Sequence, residues 1–220
     1  MNIPPDLKNN DTYLTWREKK LHNYPNKIKD LTVKIDKPGQ PNTQQIKEIK
    51  NICYKTNMAI YEAPEKIIED KNIALNMGNS IGLKDIERSL TTEEDGVSEL
   101  SVENSGIKSN YIPYSSKPLG WHTDGCYNDT NHLINGFLLH CVRAAEDGGE
   151  NFLLDPDIAY ILLRDENSEF IDGLMLPDTL TIPPNIKNDI IVRKQQTGPA
   201  LSFLSQNNML NYQALHLRYT

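Results

Sequence analysis

The sequence has no long apolar run and no basic block, and each absence excludes a class of function. No stretch of its 220 residues approaches the ~18 apolar residues needed to cross a bilayer. The N-terminus lacks both the basic and the apolar segment of a secretory signal. Acidic residues outnumber basic ones by 30 to 23, for a net charge of −7, and no basic stripe carries interleaved aromatics. We therefore expect a cytoplasmic protein without membrane or nucleic-acid partners.

Cysteine is also scarce. The three cysteines are an odd number and show no C-x-x-C spacing, which argues against a disulfide framework and against a structural zinc site. We expect Cys53, Cys126 and Cys141 to be free thiols, two of them packed in the core. Only Cys126 lies close to the motif that carries the chemistry.

What the chain does contain is a series of short elements that fit one domain over residues 1–220. Alternating apolar residues predict a strand at "LTVKID" (31–36), and "MAIYEA" (58–63) is typical of a second strand. A helix between them is predicted to begin at Asn42 or Thr43. Residues 65–82 have mixed helical character and close at Gly82. The clearest helix is predicted to be capped by Asp155, and a shorter one to be capped by Ser168 and to end near Gly173.

Strand patterns dominate the second half. The apolar run "LINGFLLHCVR" (133–143) favours a strand, and Asp-Gly-Gly at 147–149 predicts a hairpin turn with "FLLD" (152–155) as the return strand. Four further strands are predicted at "DTLTIP" (178–183), "IIVRKQ" (190–195), "ALSFLS" (200–205) and "ALHLRYT" (214–220). Residues 83–110, in contrast, are polar and loop-like, with "DGVSELSV" (95–102) as the only strand-like piece. The pattern predicts a mainly β fold, a sandwich or barrel with flanking helices.

The stretch "PLGWHTDGCYND" (118–129) contains a histidine and an aspartate two residues apart. In an extended segment, residues i and i+2 project to the same side, so His122 and Asp124 can point at one ion while Thr123 faces away. Two histidines and one carboxylate on one face of an octahedron form the site of non-haem Fe(II) oxygenases. The H-x-D spacing alone is a weak signal, and a capped turn with a surface histidine stays open as the alternative.

The surrounding residues extend this pattern. "GWHTDGCYN", the strand-like "GFLLHCVRAAEDGGEN" and "LLDPDIAYILL" follow one another between Trp121 and Leu163. In this order they resemble the taurine dioxygenase and γ-butyrobetaine hydroxylase superfamily of Fe(II)- and 2-oxoglutarate-dependent oxygenases. Members of that superfamily show W-H-x-D, a strand, a G-G-[ED]-[TN] turn and a D-x-x-x-A-Y helix. The resemblance implies a double-stranded β-helix, or jelly roll.

The resemblance also implies roles for individual residues. It makes His122 and Asp124 the first two iron ligands, and Asn151 the side chain that hydrogen-bonds the 2-oxoglutarate carboxylate. Asn151 could instead be solvated beside an ordinary hairpin turn. Four further residues are candidate substrate contacts. Trp121, Tyr127 and Asn128 flank the ligands and could equally be strand-end packing. Arg218 matches the substrate region of the superfamily and could equally be a surface arginine.

The superfamily also has a second histidine ligand and a 2-oxoglutarate-binding arginine near the far end of its fold. Here His140 lies within an apolar run, which favours a core or strand-face position. His216 precedes Arg218 by only two residues, too few for the arginine to reach the other end of a dicarboxylate. We therefore expect both missing groups to lie beyond Thr220, with the jelly roll incomplete at its C-terminus.

The sequence thus predicts an Fe(II)- and 2-oxoglutarate-dependent dioxygenase that hydroxylates a small organic substrate. Its partners would be that substrate and O2, with a homo-oligomer left open and the activity of these 220 residues unsettled. The alternative is a non-catalytic metal- or ligand-binding β-sandwich, either cupin-like or a degenerate oxygenase scaffold. The sequence does not identify the substrate.

Overall fold

The computed structural model describes residues 9–64, 70–87, 95–125, 128, 134–182, 186–187, 190–191, 196–198 and 214–217. Five α-helices occur in this part of the chain: α1 (Asn10–Leu21), α2 (Thr43–Thr56), α3 (Lys71–Ile81), α4 (Pro156–Glu166) and α5 (Ser168–Leu174). The strands described there are β1 (Thr32–Lys34), β2 (Met58–Glu62), β3 (Leu138–Leu139), β4 (Leu180–Ile182), β5 (Ile186–Lys187), β6 (Ile190–Ile191), β7 (Gln196–Gly198) and β8 (Ala214–Leu217). Single 3-10 turns span Ile28–Leu31, Lys108–Asn110 and Ile112–Tyr114.

The largest sheet has the strand order β1-β2-β8-β3, and every pairing in it is parallel. In this sheet β8 brings Ala214 opposite Met58 on one side and Leu215 opposite Leu138 on the other. The other described sheets are two antiparallel pairs, β4 with β7 and β5 with β6. The C-terminal strand β8 is therefore central, and it joins the N-terminal strands to the apolar run that follows the H-x-D motif.

Helix α2 packs against the sheet, and its ends are set by local residues. The Asn42 side chain accepts a hydrogen bond from the Gln45 backbone N–H, and the Gln45 side chain accepts one from the Asn42 N–H, which forms a capping box. The helix ends at Asn57 in the left-handed conformation. Its buried face joins α3 and the strands in a cluster that we call the sheet core: Val33, Ile35, Ile49, Cys53, Ala59, Tyr61, Met77 and Ile81.

A second cluster, the helical core, joins α1 to α4 and α5. It consists of Tyr13, Trp16, Tyr160, Ile161 and Ile171. The rings of Trp16 and Tyr160 meet edge to face at 5.9 Å, an arrangement favoured by the aromatic quadrupole. The Tyr13 hydroxyl and the Arg17 guanidinium each donate to a different oxygen of Asp165, at 2.6 Å. These contacts fasten α1 along α4.

Several predicted elements are confirmed. β1, α2 and β2 occur where the pattern predicts them, α3 closes at Gly82, and Asp155 caps α4 by accepting from the Asp157 N–H. Helix α5 is capped by Asn167 and not by Ser168. Nothing in the apolar periodicity predicted α1, because Tyr13, Trp16 and Lys20 are the only residues that it buries.

The prediction of a mainly β fold is not confirmed in the described residues. "DGVSELSV" (95–102) forms no strand, only two residues of "LINGFLLHCVR" are in β3, and residues 151–155 do not return as a hairpin strand. The predicted "ALSFLS" strand lies outside the described residues. A jelly roll is built from antiparallel strands, whereas every pairing in the main sheet here is parallel, and β8 joins β2 and β3 from distant parts of the chain. Single-strand patterns do not encode that pairing.

Cys53 is buried in the sheet core and Cys141 is partly buried, both as free thiols, as predicted. Burial raises the pKa of the Cys53 thiol to about 12, which leaves it protonated and unreactive. Cys126 lies outside the described residues. In the described part of the chain, no helix is both long enough and apolar enough to cross a membrane.

Candidate metal centre

The H-x-D motif lies on a turn without regular secondary structure. The Asn128 backbone N–H donates to the Gly125 carbonyl at 2.8 Å, and Gly125 has a φ of 68°, which favours glycine. A Cβ at Gly125 would also collide with the Ile134 side chain. Glycine is thus required here both by the backbone conformation and by the close approach of the chain.

The imidazole of His122 is oriented by a backbone carbonyl. Its Nδ1 lies 2.8 Å from the Gly120 carbonyl oxygen. A carbonyl oxygen only accepts hydrogen bonds, so Nδ1 carries the proton and donates it. In the neutral ring, Nε2 is then left with a lone pair. Metal-binding histidines commonly use one nitrogen for such an orienting hydrogen bond and the other for the metal.

The free nitrogen faces the carboxylate. His122 Nε2 lies 3.4 Å from Asp124 Oδ1, and the two side chains are 46% and 49% exposed. Two ligand atoms at this separation can both reach one cation through bonds of about 2.0–2.2 Å. An imidazole nitrogen and a carboxylate oxygen are the donor types that non-haem Fe(II) sites use. The residues present therefore fit two of the three protein ligands of such a site.

A third ligand does not join them in the described residues, where no group of three or more His, Cys, Asp or Glu side chains could hold a metal ion. His22 is exposed at the end of α1 beside Asn23. His140 is stacked on Tyr61 with an interplanar angle of 13°, and its ring hydrogen-bonds the Tyr61 hydroxyl. His216 lies on β8, in register with Ile60. His132 lies outside the described residues.

The position of His140 agrees with the strand-face interpretation. It directly follows β3, and its neighbours Leu138 and Cys141 pack against the sheet core. Burial lowers the pKa of the His140 imidazole. In the described structure the His140 ring therefore packs on Tyr61 and hydrogen-bonds its hydroxyl.

The predicted hairpin at the Gly-Gly segment, which lies wholly within the described residues, does not form, although both glycines adopt the left-handed conformation. Gly148 and Gly149 have φ values of 71° and 80°. Asn151 is exposed and donates from Nδ2 to the Gly149 carbonyl at 3.3 Å. Within the part of the chain that the structure describes, the Asn151 side chain thus bonds locally to Gly149, and no hydrogen bond there joins Asn151 to His122 or Asp124. The neighbouring Phe152 is 78% exposed.

The predicted pocket residues are only partly described. Trp121 is 72% exposed, and Asn128 is partly buried within the turn. Tyr127 and Arg218 lie outside the described residues. The structure thus brings His122 and Asp124 together. The Gly120 carbonyl that orients His122 was not predicted, because a backbone acceptor leaves no residue-type signal beyond a glycine two positions before the histidine.

Comparison with known proteins identifies relatives of the chain. Residues 19–201, most of the chain, match the model of the family described as taurine catabolism dioxygenase TauD, TfdA family. A uridine-5'-phosphate dioxygenase from Streptomyces sp is 33% identical over 91 residues, which cover 41% of this chain and 32% of the relative. A uridine-5'-phosphate dioxygenase from Amycolatopsis sp is 32% identical over 82 residues, which cover 37% and 28%.

The chain thus spans about a third of the length of these curated relatives. No solved structure matches the chain.

Proposed function

Because the chain belongs to the taurine catabolism dioxygenase TauD, TfdA family, we propose that it acts as an Fe(II)- and 2-oxoglutarate-dependent dioxygenase on a small organic substrate. His122 and Asp124 are the two metal ligands of this proposal. The names of both curated relatives also contain dioxygenase. A non-catalytic binding module is accordingly not favoured.

One observation carries the assignment of the ligands. The Gly120 carbonyl holds the Nδ1 proton of His122, which turns the lone pair of Nε2 toward Asp124 Oδ1. Without a proton or a cation between them, two electron-rich atoms at 3.4 Å repel each other. A divalent cation removes this repulsion and uses both lone pairs at once.

The side chains of the chain then have distinct roles in the proposal. His122 and Asp124 hold the metal, and bound Fe(II) would supply the oxidative chemistry together with 2-oxoglutarate and O2. Asn151, an amide donor beside a tight glycine turn, hydrogen-bonds the 2-oxoglutarate carboxylate. Trp121 and Asn128 flank the ligands and are proposed to contact the substrate, together with Tyr127 and Arg218. The jelly roll implied by the family is part of the same proposal.

The relatives' name gives the first substrate to test. Both relatives are called uridine-5'-phosphate dioxygenases, so uridine 5'-phosphate is the first compound that we propose to assay. Uridine without its phosphate is the matched control, and taurine tests the substrate named in the family's description. Succinate release that depends on one of these compounds would identify the substrate class.

Anaerobic titration tests the cofactor assignment without requiring turnover. Fe(II) and 2-oxoglutarate added together should give a visible charge-transfer band, because the keto acid chelates protein-bound iron. His122→Ala and Asp124→Ala should each abolish the band, while His22→Ala, at an exposed histidine outside the motif, should leave it intact. Asn151→Ala should weaken 2-oxoglutarate binding and retain iron. A band of equal strength in all variants would refute this ligand assignment.

A further inference from the structure

A buried ionic cluster lies where α1, the end of α2 and the start of α4 meet, away from the H-x-D turn in the sequence. Lys20 Nζ lies 2.8 Å from Asp155 Oδ2 and 2.6 Å from Asp157 Oδ2. The three residues are 4%, 3% and 2% exposed, respectively. Charged side chains are seldom buried to this extent unless they are paired. We call Lys20, Asp155 and Asp157 the buried triad.

The two carboxylates are not equally satisfied. Asp155 accepts from the Tyr24 hydroxyl, from Asn57 Nδ2 and from the Asp157 backbone N–H, at 2.8 to 2.9 Å. Asp157 Oδ2 accepts from Lys20 and, at 3.1 Å, from Asn57 Nδ2. Asp157 Oδ1 is buried and has no hydrogen-bond partner in the part of the chain that the structure describes. The deficit of donors thus falls on one oxygen of Asp157.

The neighbouring charged side chains that the structure describes do not supply the hydrogen-bond donor that Asp157 Oδ1 lacks. From α2, Lys55 approaches, but its Nζ donates to the carbonyls of Lys19 and His22, and burial lowers the pKa of the Lys55 ammonium. The side chains of Lys19 and His22 are exposed. One ammonium therefore serves two buried carboxylates, and an unpaired buried charge is far more costly than a neutral carboxyl group in the same place.

We propose that Asp157 takes up a proton in the folded protein and that the buried triad is a pH-operated latch between α1, α2 and α4. With the proton bound, one ammonium faces one carboxylate and the three helices are held together. Loss of the proton leaves a net negative charge in the buried site and loosens the start of α4. The latch does not depend on metal binding, so it stands or falls separately from the proposed function.

The environment of Asp157 also favours its protonated form. Burial, the largest contribution, raises the pKa of the Asp157 carboxyl; Lys20 opposes the rise and Asp155 adds to it. Folding thus raises this pKa above the ordinary value of 3.8. Such a group contributes stability that is complete below the ordinary pKa and is lost as the pH rises through the folded-state pKa. The latch is therefore closed on the acid side and opens on the alkaline side.

Site-specific NMR tests the proton directly. In the full chain labelled with ¹³Cγ aspartate, the Asp157 resonance, assigned from its own backbone amide, should titrate at a higher pH than an ordinary aspartate. Asp155→Asn should move this midpoint to lower pH because it removes the neighbouring negative charge. Asp172→Asn, at an exposed aspartate in α5, should not move it. An Asp157 midpoint at or below the ordinary value would overturn the proposal.

Hydrogen exchange tests the latch. After correction for intrinsic rates, amide protection in the last turn of α1 and the first turn of α4 should fall as the pH rises through the Asp157 midpoint that NMR measures. Asp157→Asn keeps the shape of the side chain without an ionisable group, so its protection should stay constant over the same range. Equal pH dependence in the wild type and Asp157→Asn would overturn the latch. The NMR titration of the wild type decides the matter if the variant does not fold.

Discussion

The sheet core and the segment that carries the candidate metal centre contrast in almost every physical respect. Ile49, Ala59 and Tyr61 are completely buried among helices and parallel strands, whereas Trp121 and Phe152 are more than 70% exposed on chain without regular structure. Tight packing stabilises the fold, and exposed loops place groups that must meet ligands. The buried core and the candidate metal centre therefore lie in separate parts of the described chain.

The largest expected effect separates these two regions with one kind of substitution. Ile49→Ala removes a fully buried side chain from the sheet core and should lower the free energy of unfolding by about 2–5 kcal/mol. Ile107→Ala, at a side chain that is 71% exposed just before the 3-10 turn Lys108–Asn110, should change it by less than about 0.5 kcal/mol. Urea denaturation of both variants measures the difference. Similar losses of unfolding free energy in the two variants would contradict the contrast between a packed core and an exposed segment.

The attachment of α1 to α4 should be the next most sensitive feature. Tyr13→Phe removes the hydroxyl that donates to Asp165 at 2.6 Å. We expect a loss of about 1–2 kcal/mol, reduced by solvent screening because Asp165 is partly exposed. Tyr54→Phe, at an exposed tyrosine on α2, is the matched control and should be neutral. Thermal unfolding of the pair checks the prediction, which fails if both substitutions cost the same.

A smaller effect is expected at the N-terminus of α2. Asn42→Ala removes the side-chain oxygen that accepts from the Gln45 backbone N–H, and should cost about 1 kcal/mol. Asn42→Asp retains an accepting oxygen and should restore most of the stability. Denaturant midpoints of the two variants provide the test, and a loss of equal size in Asn42→Asp would argue against capping as the cause.

The smallest expected effect is a pH dependence at the edge of the sheet core. Burial lowers the pKa of His140 below its ordinary value of 6.5. Its contribution to stability is therefore complete above that value and declines as the pH falls below it. His140→Phe keeps a ring against Tyr61 and should unfold with less dependence on pH in this range. Denaturant midpoints of the wild type and the variant, measured from above pH 6.5 to below it, test this prediction. The same pH dependence in both proteins would contradict it.

The sequence predicts local features better than distant pairings. The Asp155 cap, the start of α2 at Asn42, one of two candidates, and the H-x-D spacing follow from chemistry within a few residues, and the structure contains them. The parallel pairing of β8 between β2 and β3 joins segments more than 70 residues apart, which no local pattern specifies. The buried triad was not predicted for the same reason, since Lys20 lies far along the chain from Asp155.

The candidate site shows the same limit. The spacing of His122 and Asp124 predicts that they face one point, and their atoms do meet at 3.4 Å. The identity of a third ligand depends on the pairing of distant strands, so neither the motif nor the described residues supply it. Asn151 stays a prediction carried by its place after the Gly-Gly turn.

The central claim is that His122 and Asp124 bind the metal. Its most direct test is to measure anaerobic Fe(II) binding by isothermal titration calorimetry. We predict one Fe(II) per chain, with an affinity that falls at least about 10-fold in His122→Ala and in Asp124→Ala and is unchanged in His140→Ala. If both substitutions left iron affinity at the wild-type value, the pair would be an ordinary polar turn and not a metal centre.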